Sequence, residues 1–123
     1  MIFSTKEFSA ILHLSKAMVL ADGKVEQIEL AAIANEFKRF GVGTASTDTL
    51  LKKADNIELS EAIAIVSRMN LENKRYVAAF LGTIMAVDMD INDSEMALWK
   101  LISTLCDLPT MSIKDAISIM ASL

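Results

Sequence analysis

The sequence predicts an all-α fold, a compact bundle of about seven helices containing two pseudo-symmetric helical hairpins. Three observations predict it. Apolar residues recur at helical rather than strand spacing along almost the whole chain. Only four Gly and one Pro interrupt it, too few for many short strands. And an Asp-to-Glu pattern is written twice, as ADGKVEQIEL at 21–30 and VDMDINDSEM at 87–96, each after one apolar run and before another.

The elements follow in order. Ser4 opens the first helix, with Glu7 three residues on for a capping box and Phe3 and Phe8 spaced for a hydrophobic staple. Ile11, Leu12, Ser15, Met18 and Val19 share its inner face, and Asp22-Gly23 ends it. A second helix begins near Glu26, buries Ile33, Phe37 and Phe40, and stops at Gly41 and Gly43. TASTDTL reads as a polar connector that caps a short third helix running through Leu51 to about Asp55. A fourth helix covers 58–69, with Ala62, Ile63, Val66 and Met69 inward. Asn70 caps a fifth carrying Val77, Phe80, Leu81, Ile84 and Met85, apolar on most sides as a central helix is. Asn92 caps a sixth that packs through Leu98, Trp99, Ile102 and Leu105. Pro109 breaks the chain before a last helix, opened by Ser112 with Asp115 at the box position. No linker or low-complexity stretch appears, so residues 1–123 read as one domain.

Composition narrows the function. Hydrophobic residues make up 53% and charged residues 23%, which excludes a disordered tail and leaves apolar surface for a protein partner or a homodimer. A net charge of −4, with one Trp and one Tyr, does not suit nucleic acid, which requires clustered cations and stacking platforms. The most apolar run, 76–87, is too short to cross a bilayer, and MIFSTKEF does not read as a signal peptide. Cys106 is the single cysteine, so no internal disulfide forms. A cytoplasmic protein is expected. Cys106 reads as a core thiol and the lone His13 as a packing or surface residue, and no phosphate loop or nucleophile elbow occurs. An enzyme is not expected.

The repeat carries the remaining chemistry. Asp22 and Asp88 occupy one slot, Val25 and Ile91 another, and Glu29 and Glu95 a third. Part of the pattern starts helices: Val25 with Leu30 and Ile91 with Met96 have staple spacing, and Asn92 with Glu95 forms a capping box. The Asp slots lie near helix C-termini, whose negative partial charge disfavours a carboxylate. The window 22–29 carries a net −2, and 88–95, with Asp88, Asp90, Asp93 and Glu95, a net −4. Such oxygen-rich clusters suit hard cations: Ca²⁺, Mg²⁺ or Mn²⁺. The candidate metal ligands are Asp22, Glu29, Asp88, Asp90 and Glu95. The other reading of the same residues is a pair of solvated acidic turns that only cap helices. Neither copy is an EF-hand, because Asp93 stands at the turn glycine and Trp99 at the twelfth-position Glu of the second.

The double pattern, with ADGKVEQIE matching A-D-G-x-aliphatic-x-x-x-E in full, resembles the TerB-like domains. The second copy departs, with Val87 for Ala and Met89 for Gly. The resemblance implies an all-helical fold with internal pseudo-symmetry and an acidic surface for divalent metal, carried over onto Asp22, Glu29, Asp88 and Glu95. It also implies a tellurite-resistance or stress-related role exercised through partner proteins. No HPD tripeptide of a J domain occurs, so a co-chaperone role is not expected.

Overall fold

The computed structural model describes residues 1–21, 27–41, 44–87 and 91–123. Their secondary structure is entirely helical: α1 (Thr5–Val19), α2 (Gln27–Phe37), a 3₁₀ turn (Lys38–Phe40), α3 (Thr44–Asp55), α4 (Leu59–Ser67), α5 (Leu71–Ala86), α6 (Asp93–Leu105) and α7 (Ile113–Ala121). The helical-bundle prediction therefore holds.

Local chemistry sets the helix ends. Ser4 Oγ accepts from the Glu7 amide at 3.1 Å, and the Ser4 amide donates to Glu7 Oε1 at 2.8 Å, the reciprocal box expected at α1. The staple forms too, with the Phe3 and Phe8 ring centroids 5.5 Å apart. Ser112 and Asp115 make the same box at α7, and Asn70 Oδ1 caps α5 by accepting from the Asn73 amide at 2.8 Å. Gly41 closes the 3₁₀ turn at φ 78°, a left-handed conformation that costs glycine nothing. The end of α6 takes a different form. Asp107 adopts φ 55°, its amide bonds the Thr104 carbonyl at 3.3 Å, and the Leu108 amide reaches back to Ser103 at 2.8 Å. This is a Schellman motif built on a non-glycine residue, with Leu108 buried against the core.

Two helices form the centre. α1 packs on α2, α3, α4, α5 and α6, and α5 packs on α1, α2, α6 and α7. Their inward residues correspond at the spacing of the sequence repeat. Ile11, Leu12, Leu14, Ser15, Met18 and Val19 are buried in α1, and Val77, Ala78, Phe80, Leu81, Ile84 and Met85 at the matching places in α5. Ser15 tolerates burial because its hydroxyl donates to the Ile11 carbonyl at 2.7 Å. An aromatic cluster of Phe3, Phe8, Phe37, Phe40, Tyr76 and Phe80 fills the space between α1, α2 and α5.

Two expectations are corrected. The segment TASTDTL is helical, opening a twelve-residue α3 rather than connecting to a short one. Packing against α1 overrides its weak propensity: Ala54 is fully buried, and the His13 ring N–H donates to the Ala54 carbonyl at 2.8 Å. Leu105 is exposed rather than packed. At roughly 100° per residue, it lies well off the stripe through Glu95, Trp99, Ile102 and Cys106 that faces inward.

Candidate functional site: the acidic helix junctions

The α1–α2 and α5–α6 connections contain the repeated acidic segments. Asp22, Asp88 and Asp90, three of the five expected ligands, lie outside the described residues, as do Glu26 and Val25. The other two are placed. Glu29 sits in the first turn of α2 and Glu95 in the first turn of α6. Both are buried, with 1% and 2% of their surface exposed.

Burial separates them from ordinary capping acids. Glu7 in α1 and Asp115 in α7 also stand in first turns and close capping boxes, yet Glu7 is only partly covered and Asp115 is exposed. Closing a cap does not require removing a carboxylate from water. At α6 the cap also has a different form. Asn92 Oδ1 accepts from the Glu95 amide at 2.8 Å, while Asn92 Nδ2 donates to Glu95 Oε1 at 2.9 Å. The side-chain amide thus supports both the helix end and the carboxylate. A carboxylate in a first turn also gains from the positive end of the helix dipole.

The repeat places the two glutamates in equivalent surroundings. Ile33 follows Glu29 by one turn as Trp99 follows Glu95, and both are buried. α2 and α6 each pack on both central helices, so each glutamate begins a helix seated on the same α1–α5 pair. Among the described residues no three His, Cys, Asp or Glu side chains converge at metal-binding range. The described part of each junction thus contributes one buried carboxylate, an oxygen donor of the kind hard cations take. Asp93, next to Glu95, is exposed.

Other candidate groups have structural surroundings. Cys106 is fully buried, its Sγ set 3.8 Å from the Ile63 carbonyl, and burial pushes its thiol up to about 11. It is no nucleophile at neutral pH. The Tyr76 hydroxyl is raised well above its ordinary range by burial and by the Glu36 carboxylate. Glu36 in turn accepts from Arg39 Nε, and that hydrogen bond holds the guanidinium pKa up. This Tyr76–Glu36–Arg39 cluster escaped the sequence reading because its members come from α2, the 3₁₀ turn and α5, and only α2–α5 packing joins them. Among the described residues no helix is long and apolar enough to cross a membrane.

No protein-family model matches the chain, and no curated protein does. A solved structure does: a crystal structure of a protein of unknown function from Porphyromonas gingivalis matches with a TM-score of 0.89 and 52% identity, over 100% of this chain and 99% of that one. Identity of this extent over the full length of both shows common descent as well as a common fold, and the chain belongs to the same family as that protein.

Proposed function

We propose that the chain is a non-enzymatic, TerB-like cytoplasmic protein whose acidic helix junctions bind a divalent cation, Ca²⁺, Mg²⁺ or Mn²⁺. The observation that carries this reading is the paired burial of Glu29 and Glu95, at equivalent positions within the two acidic segments. Ionised carboxylates leave water at a cost that donors or a cation must offset. The helix N-termini and Asn92 supply donors. A hard cation would add charge compensation, with Glu29 and Glu95 as its ligands beside Asp22, Asp88 and Asp90. The role that follows from the resemblance is in stress or tellurite response.

The test is thermal stability. Chelator-treated protein is melted alone and with Ca²⁺, Mg²⁺ or Mn²⁺ added, beside the Asp22→Ala plus Asp88→Ala variant. A ligand that binds only the folded state at 100 times its Kd adds about 2.7 kcal/mol. The reading predicts a rise with at least one cation in the wild type and none in the variant. Identical curves in all conditions refute it.

A second reading, a protein-interaction module or homodimer, has its own support. Leu71 is 72% exposed beside Met1, Ile119 and Leu123 around a cavity of about 430 Å³. Glu72 and Arg75 border the same cavity, and exposed apolar side chains gathered within a polar rim suit an interaction surface. Light scattering of the wild type and of Leu71→Glu tests it, and a strict monomer in both counts against self-association.

A further inference from the structure

The first turn of α5 sets a projection beside a hollow. Leu71 stands 72% exposed, and next to it opens the cavity of about 430 Å³ that Tyr76, Ile119 and Leu123 also line. The hollow has room for an aliphatic side chain. Two contacts pin residues 1–2 alongside this turn: the Met1 amine lies 3.5 Å from Glu72 Oε1, and Asn73 Nδ2 donates to the Ile2 carbonyl at 3.2 Å. The rim carries both signs of charge. Glu72 and Arg75 are exposed, border the cavity and lie three residues apart, on one face of the helix. Glu36 and Arg39 have the same spacing and pair with each other. Among the described residues no ion pair joins Glu72 to Arg75, so each side chain can meet an opposite charge from outside.

We propose that this face binds a second copy of the chain about a twofold axis, with α5 antiparallel to the same helix of the partner. The order of residues sets the register. A pairing centred between Asn73 and Lys74 puts Leu71 opposite the partner's Tyr76 and Glu72 opposite the partner's Arg75, so both contacts form at once. Each Leu71 then enters the other copy's cavity, and two Glu–Arg pairs flank the axis. Charge selects this occupant. A basic partner would be repelled by Arg75 and an acidic one by Glu72, whereas opposite charges one turn apart complement themselves under twofold rotation. One arginine beside a glutamate makes no track for a phosphate backbone. The proposal rests on reading the Leu71 face as a surface for self-association, and adds the axis and the charge pairs. It uses none of the junction residues.

The experiment is sedimentation velocity of the full chain from micromolar to millimolar concentration, on the wild type and on Leu71→Glu, Glu72→Arg and Arg75→Glu. The wild type should form a dimer, and Leu71→Glu should abolish it. Each single charge reversal should weaken it about tenfold, because both exposed pairs become like-charge contacts. An equimolar mixture of Glu72→Arg and Arg75→Glu should regain the wild-type affinity, since every contact across the axis is then again between opposite charges. Local damage from either substitution would not be repaired by mixing, and thermal melting confirms that each variant is folded. A strict monomer overturns the proposal and leaves the Leu71 face to a different partner. A dimer that survives Leu71→Glu overturns it together with the self-association reading of that face. A dimer that Leu71→Glu dissociates, but that neither reversal weakens or the mixture fails to restore, overturns the twofold pairing alone.

Discussion

A Cβ placed on Gly82 would lie 2.8 Å from Cζ2 of Trp99. The same atom would stand 3.0 Å from Cβ of Ala116, so α5 meets α6 and α7 at one point without room for a methyl group. Trp99 is fixed there, its indole N–H donating to the Ala78 carbonyl at 3.1 Å. Gly82→Ala should gain about 1 kcal/mol of helix propensity and lose more to overpacking, typically 1–3 kcal/mol. A net loss in urea unfolding is expected. Trp99→Phe in the same chain should recover part of it, because the clashing six-membered ring edge is removed.

The end of α6 predicts a gain. Asp107 holds φ 55° with its side chain 93% exposed, and its contact with Lys74 is a long 3.5 Å. Left-handed geometry costs a residue with a Cβ roughly 1–2 kcal/mol, somewhat less for Asp. An ion pair this long, with its carboxylate in solvent although Lys74 is largely covered, contributes less than about 1 kcal/mol. Asp107→Gly should therefore raise the melting temperature slightly, and Asp107→Val should lower it clearly.

Cys106 ties stability to alkaline pH. Its folded pKa of about 11 lies above the ordinary thiol value of 9.0. The raised value means that the folded state holds the proton more tightly than the unfolded chain. The contribution is complete below pH 9 and is lost as pH rises toward 11, on the order of 2 kcal/mol in all. Urea midpoints measured from pH 8 to 11 should fall less steeply in Cys106→Ala. Maleimide at neutral pH should label the native thiol slowly and the urea-unfolded thiol quickly.

Asn92 and Asn70 make a controlled pair. Each caps a helix by accepting a backbone N–H at 2.8 Å, but only Asn92 is seen also donating to a buried glutamate. Loss of a cap costs about 1 kcal/mol, and withdrawing a donor from a buried carboxylate adds to this. Asn92→Ala should be the more destabilising by 1 kcal/mol or more. Equal losses would mean that the Glu95 contact contributes nothing beyond the cap.

Much of the fold was legible in local chemistry. Ser4 with Glu7 and Ser112 with Asp115 predicted two helix starts, and both boxes form. Val77, Phe80, Leu81, Ile84 and Met85, at helical spacing in a run apolar on most sides, predicted a central helix, and α5 is one. These features depend on neighbours within four residues, which sequence spacing displays directly. The failures lie where a distant element decides. TASTDTL reads as a connector until α1 packs beside α3. Leu105 reads as a core residue until the angular position of the buried stripe excludes it.

The candidate site divides along the same line. By itself the sequence determined that an Asp-to-Glu pattern recurs sixty-six residues apart and that acidic charge gathers at two helix junctions, because both are properties of order along the chain. Only the tertiary structure decided that Glu29 and Glu95 are buried while Glu7 and Asp115 are not. It alone also brought Tyr76 of α5 and Ile119 of α7 to one cavity. A first-turn glutamate looks the same in sequence whether water or protein surrounds it. Its surroundings come from α1 and α5, the helices on which α2 and α6 are seated, and those contacts exist only once the bundle has closed.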